Sequence, residues 1–212
     1  MAILKLLVLD CSPRGERSTS RYLTACLLPA LFEKQGQTLQ ITRRLLGREP
    51  LAAISVEYAE SLLLSARQAA ALYGTALSIS DTLIEELHAA DILWISTPVH
   101  NFTVPAVLKH WIDLVVRKDV TFVTTGEGKK GLLRDRPVFI AVTSGGAMFD
   151  DHAGQPDFFR PYLRAILGVI GLQNVTFIPA TKLAGGVAPL DDVAAIARSF
   201  LDTQLTQQAA QH

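Results

Sequence analysis

Residues 3–20 read Ile-Leu-Lys-Leu-Leu-Val-Leu-Asp-Cys-Ser-Pro-Arg-Gly-Glu-Arg-Ser-Thr-Ser, and the fold follows from how this stretch changes character half-way. Residues 3–9 are a near-continuous apolar run, the pattern of a parallel strand buried on both faces. A polar loop then begins at Cys11. From residue 19 onward Tyr22, Leu23, Cys26, Leu27, Ala30 and Leu31 recur at helical spacing. Strand, loop and helix in this order place open helix N–H groups and the positive end of the helix dipole beyond the strand's carboxyl end. That is an anion site by construction. Ser12, Ser18, Thr19 and Ser20 add hydroxyl donors, although Ser18 or Ser20 could equally be an ordinary helix N-cap.

The alternation continues outward. Strands are expected at 38–43, 91–97, 138–143 and 174–179, with helices over 19–35, 104–117, 157–170 and from about Leu190 to Leu205. Pro29 should kink the first helix and Gly36 should stop it. Asp81 reads as the N-cap of a helix that buries Ile84 and Leu87. Residues 44–80 are poorly legible: a loop, then alanine- and leucine-rich helical sequence. Segments 120–124 and 130–134 flank a glycine-rich turn and form a hairpin. The expected architecture is α/β, a three-layer sandwich around a five-stranded parallel sheet with a hairpin insertion and right-handed crossovers. One domain over residues 1–205 is expected, with 206–212 a frayed tail.

Composition narrows the function. Lys+Arg and Asp+Glu both total 20, so the net charge is zero. That balance gives no long-range attraction to nucleic acid or to an anionic membrane. No apolar run reaches the ~20 residues of a membrane span, and the start lacks signal-peptide organisation. Two cysteines, Cys11 and Cys26, make no disulfide framework or zinc motif, and the chain is expected to be cytoplasmic. Cys11 is either a packed residue or a reactive thiol. His100, His110 and His152 fit no compact metal site, and no metal is expected.

In an open parallel sheet, ligands bind at the strands' carboxyl ends, and two further loops there are unusual. Thr97-Pro98-Val99-His100-Asn101-Phe102-Thr103-Val104-Pro105 joins an aromatic, an amide and shape-fixing prolines, suited to a flat heterocycle. Thr143-Ser144-Gly145-Gly146-Ala147-Met148 lets backbone N–H groups form a nest for partial negative charge. Another glycine-rich stretch, Gly126 to Gly131, matches GxGxxG, but no helix opens after it, so it is assigned to the hairpin tip.

Together these segments resemble the FMN-dependent NADH-azoreductases, the flavodoxin-like NAD(P)H:quinone reductases. The likeness rests on Ser12 with Ser18-x-Ser20, Pro98-x-x-Asn101-Phe102 before Leu108-Lys109, Val120-Thr121-Phe122, Thr143-Ser144, Pro161-Tyr162-Leu163, Leu167-Gly168 and Ile170-Gly171. The resemblance implies a flavodoxin-like sheet of order 2-1-3-4-5, bound FMN, NADH or NADPH as co-substrate, and a homodimer with active sites between subunits. It implies that Ser12, Ser18, Thr19 and Ser20 hold the FMN phosphate, that Val99, His100, Asn101 and Phe102 frame the ring, and that Ser144, Gly145, Gly146 and Ala147 line its pyrimidine side. Phe122 would reach the substrate pocket. Two-electron, ping-pong reduction of quinones, with azo compounds as a further acceptor class, follows from the same likeness. Two departures stand out: His100 replaces the family's usual tyrosine or tryptophan, and Gly145-Gly146-Ala147 replaces a frequent Arg-Gly-Gly. His100 either fills the aromatic's space or donates a proton to the reduced substrate. Two other readings remain open, a non-catalytic flavin carrier and a serine hydrolase, the latter without a GxSxG elbow.

Overall fold

The computed structural model describes residues 3–32, 38–149 and 153–181, together with 191, 192, 194, 195, 198, 199, 202 and 203. Strand β1 (Ile3–Asp10) is followed by a single 3₁₀ turn and helix α1 (Thr19–Phe32). Next come β2 (Thr38–Arg44), α2 (Val56–Ser61), α3 (Ala66–Ala89), β3 (Ile92–Pro98) and α4 (Ala106–Val115). The hairpin β4 (Phe122–Thr125) and β5 (Gly128–Gly131), then β6 (Val138–Thr143), α5 (Phe159–Val169) and β7 (Val175–Ala180) complete the described elements. The five-stranded sheet runs β2-β1-β3-β6-β7, all parallel. With the hairpin strands set aside, this is the expected 2-1-3-4-5 order.

Period-two alternation splits the sheet's side chains between two cores. Leu7, Leu9, Leu93, Ile95, Ile140 and Val142 face α3, α4 and α5, whose Leu83, Trp111 and Leu163 close over them. Leu6, Val8, Trp94, Phe139 and Ala141 face α1 through Leu23 and Leu27. Ala194 packs into this second core, and the described residues from 191 to 203 are helical. The rest of the expected closing helix, the Gly36 stop, His152 and the tail 206–212 lie outside the described residues.

Three local expectations change. Asp81 is no N-cap: it lies inside α3, which Ser65 opens through a capping box with Gln68. That helix continues through a kink at Tyr73 (φ −129°, ψ 25°), and Asp81 instead pairs with the buried Arg117. The hairpin is shorter than expected, turning tightly at Gly126-Glu127 so that Thr125 pairs with Gly128. GxGxxG is therefore the hairpin tip. Finally, α1 runs through Pro29. Ala25, whose carbonyl loses its partner, is exposed like Pro29 itself, so water can satisfy the freed group.

The layer over the second core is tied down by a buried polar chain. Trp94 Nε1 donates to Thr24 Oγ1 at 2.9 Å, and Thr24 Oγ1 donates to Ser20 O at 2.9 Å. This links β3 to the first turns of α1. Thr24→Val keeps the shape but orphans a buried indole N–H, so it should cost about 1–3 kcal/mol of stability. Urea unfolding should show a lower midpoint at unchanged slope.

Candidate functional site

Because β1, β3 and β6 are sheet neighbours, the loops after them converge. They line one cleft of about 330 Å³, near the lower end of the roughly 300–1,000 Å³ usual for small-molecule sites. Ser12, Pro13, Arg14, Ser18, Thr19 and Ser20 come from the first loop; Pro98, Val99 and His100 from the second; Thr143, Ser144 and Gly145 from the third.

At one end lie buried hydroxyls. Ser12, Ser18 and Ser20 are 6%, 3% and 1% exposed. Ser18 Oγ lies 3.1 Å from Ser20 Oγ and accepts from Arg21 N at 3.3 Å. Ser18 is thus both a cap and a lining residue. The first helical bond, Tyr22 N to Ser18 O at 2.9 Å, leaves the Thr19 and Ser20 amides at the open helix start, where no intrahelical acceptor exists. Buried hydroxyls, open amides and a helix dipole at one point fit a phosphate.

The other end lies between the loops that follow β3 and β6. Val99 N continues the sheet ladder to Thr143 O at 2.8 Å. His100 and Thr103 then exchange backbone hydrogen bonds, 3.0 Å each way, around Asn101 (φ 48°) and Phe102 (φ 67°). Positive φ at both central residues is the geometry of a type I′ turn, which asparagine tolerates and phenylalanine rarely adopts. Such strain concentrates at ligand sites. Ser144 N is tied to Ala180 O at 3.0 Å, which leaves Gly145 to present its backbone to the cleft.

Not every expected residue lines the cleft. Asn101, Phe102, Gly146 and Ala147 belong to the same loops without lining it. Phe102 is 41% exposed, and Gly146 packs its Cα side against the Gln155 amide. Phe122 is apart, 8% exposed within its own chain, with Lys129 Nζ 5.0 Å over its ring. Cys11 is wholly buried, and burial pushes its thiol well above the ordinary range, so it is a packed residue. Among the described residues no group of three or more His, Cys, Asp or Glu could hold a metal ion, and no helix is long and apolar enough to cross a membrane.

Sequence reasoning missed Gly47, which underpins the first loop. Its N–H donates to Asp10 O at 3.1 Å, and a Cβ there would lie 2.3 Å from Ser12 C. Nearby, Gly15 (φ 57°) packs against the Arg48 side chain. A lone glycine in an illegible loop carries no local signal of such contact.

Residues 4–203 match the family described as having a flavodoxin-like fold. The chain belongs to that family. It is 43% identical over 182 residues to FMN-dependent NADH:quinone oxidoreductase 2 of Cupriavidus pinatubonensis, covering 86% of this chain and 88% of the relative. It is 44% identical over 188 residues to FMN-dependent NADH:quinone oxidoreductase 5 of Burkholderia lata, covering 89% and 90%. A solved FMN-dependent NADH-azoreductase from Bacillus anthracis, in complex with FMN, superposes with a TM-score of 0.78 at 21% identity, covering 97% of this chain and 99% of that one. At that identity the likeness concerns the fold.

Gly47→Ala sets a methyl against the Ser12–Pro13 backbone, which cannot yield as a side-chain tip would. It should destabilise the protein by about 1–3 kcal/mol, read as a lower thermal midpoint.

Proposed function

We infer that the protein is an FMN-dependent NADH:quinone oxidoreductase. The observation that carries this is the cleft joining a buried, hydroxyl-rich helix start to the loops after β3 and β6, in a chain whose relatives at 43% and 44% identity carry that name. Ser12, Ser18, Thr19 and Ser20 would hold the FMN phosphate, and Val99, His100, Ser144 and Gly145 would bound its ring, with Asn101, Phe102, Gly146 and Ala147 beside them. FMN, when bound, supplies the two-electron chemistry between a nicotinamide and a quinone. The chain's own residues fix position, shield the slot from water and offer N–H donors to developing negative charge.

The nicotinamide and the acceptor take turns in the same slot, which makes the kinetics ping-pong. Azo compounds are a second acceptor class, on the motif resemblance. A homodimer is supported by exposed apolar side chains around α2 and α3: Val56, Leu63 and Leu72 are 71%, 87% and 69% exposed. Phe122 would then serve the substrate pocket across that interface. A cytoplasmic location fits the cysteine usage.

Competing readings separate cleanly. For a serine hydrolase, Ser144 would need a helix directly after it, whereas the next described helix begins at Phe159. A non-catalytic carrier would not turn over NADH. The purified protein, supplied with FMN, should show a flavin absorbance that NADH bleaches and a quinone restores, with parallel double-reciprocal plots. A protein that FMN cannot reconstitute would refute the proposal.

His100 contributes the one imidazole among the residues that line the cleft. We assign it proton donation to the reduced quinone. His100→Phe should retain FMN and change how the rate of quinone reduction varies between pH 5 and 9. An unchanged profile would leave His100 as packing only.

A further inference from the structure

The mechanism above makes no use of Asp10, the most deeply buried carboxylate near the cleft, at 3% exposed. Its side chain stands between the two ends of the phosphate loop. The Ser12 N–H at the loop's start faces its carboxylate, and Arg21 Nε, in the first turn of α1, lies 3.8 Å from Oδ2. Its backbone carbonyl receives the Gly47 N–H. Asp10 therefore touches every segment that shapes the anion site.

Its other oxygen has no partner. Oδ1 is buried without a hydrogen bond, and so is Ser96 Oγ. Asp10 and Ser96 are register partners on β1 and β3. They continue the rows of Leu6, Val8 and Trp94 on the face that α1 covers. An ionised carboxyl whose buried oxygen accepts no hydrogen bond is costly.

The charges around Asp10 do not settle it as an anion. Arg21 is shared, since its Nη2 also pairs with Glu16 Oε1 at 2.9 Å. Arg43 from β2 draws the carboxyl toward ionisation, while Glu16 opposes this. Burial is the largest influence and pushes the carboxyl above its ordinary range. A phosphate entering beside Ser12 and Ser18 brings about −1.5 to −2 charges at neutral pH to the same helix N-terminus.

We propose that Asp10 is a positioning residue of the phosphate loop that takes up one proton from solvent as the FMN phosphate binds. The loop thereby exchanges one buried anion for another. The neutral carboxyl still accepts from the Ser12 N–H, and a proton on Oδ1 removes charge from the oxygen that no donor meets. The inference rests on the FMN assignment above.

The sign follows from linkage. A group whose pKa is higher in the complex than in the free protein makes binding tightest at low pH. The affinity falls through the window between the two pKa values and is flat again above it. The phosphate's own ionisation affects parent and variant alike and cancels in their ratio. Asp10→Asn copies the neutral acid, since its amide both accepts and donates.

The test is fluorescence titration of FMN into the FMN-free parent and into Asp10→Asn from pH 5.5 to 8.5, with thermal melts confirming that both are folded. The ratio of parent to variant Kd should rise with pH, by up to about tenfold per unit inside the window. Calorimetry in two buffers of different ionisation heat should show more proton uptake per FMN in the parent. Should Asp10→Asn fail to fold, that second measurement on the parent alone still decides: proton uptake near pH 7 beyond that of the phosphate supports the proposal, and none refutes it. A pH-independent ratio, or weaker binding by Asp10→Asn above pH 7, overturns this inference while leaving the FMN assignment intact. No FMN binding by the parent at any pH overturns both.

Discussion

The parallel ladder joining β1 to β3 and β3 to β6 is the constraint on which the rest depends. Its registers end with Asp10 opposite Ser96 and Pro98 opposite Thr143. All three strands therefore deliver their carboxyl ends to one edge, and segments far apart in sequence must share one cleft. The ladder continues past the strands: Cys11 N bonds to Ser96 O at 2.8 Å, and Val99 N to Thr143 O at 2.8 Å. The loops begin from fixed points rather than from mobile ends. A parallel sheet forces the connections to return over its faces, so the same rule that builds the cleft also buries its floor.

That burial explains why so much polar chemistry survives inside the protein. Ser12, Ser18, Ser20, Thr24 and Ser96 are all nearly inaccessible, yet most are satisfied through one another or through α1's backbone. The Trp94–Thr24–Ser20 chain ties the sheet's face to the helix start. Gly47 lets a neighbouring loop press against the Ser12–Pro13 backbone from the other side. Held from both sides, the phosphate loop is preorganised, so little conformational entropy remains to be lost when an anion binds. The unpartnered oxygens of Asp10 and Ser96 are the exception, and they lie directly beneath the same loop.

Fold and site were unequally legible in the sequence. Long apolar runs such as 3–9 and 138–143 fixed the central strands, because a strand buried on both faces has few other interpretations. The three loops stood out because serine, proline and glycine clustered where strands ended. Asp81 misled because a good capping residue inside a helix looks the same as one at its start. The true start was decided by Ser65 and Gln68, three residues apart, in a segment whose alanine-rich face gave no clear period. Gly47, Asp10 and the positive φ of Phe102 were invisible for a different reason. Each depends on what lies across space, and single-chain patterning holds only what lies along it.

The two ends of the cleft differ in how they are held, and this divides their tasks. The serine end is buried and braced by β1, α1 and the Gly47 loop, so changes there act on whether a ligand is held at all. The ring end is carried by one tight turn whose central residues, Asn101 and Phe102, are exposed and sit at positive φ. The turn is closed on itself by the His100–Thr103 backbone pair, so the backbone at position 100 is set within its own loop and not by the serine end. On the proposed function, variation at position 100 would bear on the slot for the ring, and the serines on holding the phosphate. Under the same proposal, the histidine found where the motif resemblance leads one to expect an aromatic would bear on the choice of acceptor, at a point of the site shaped by its own turn.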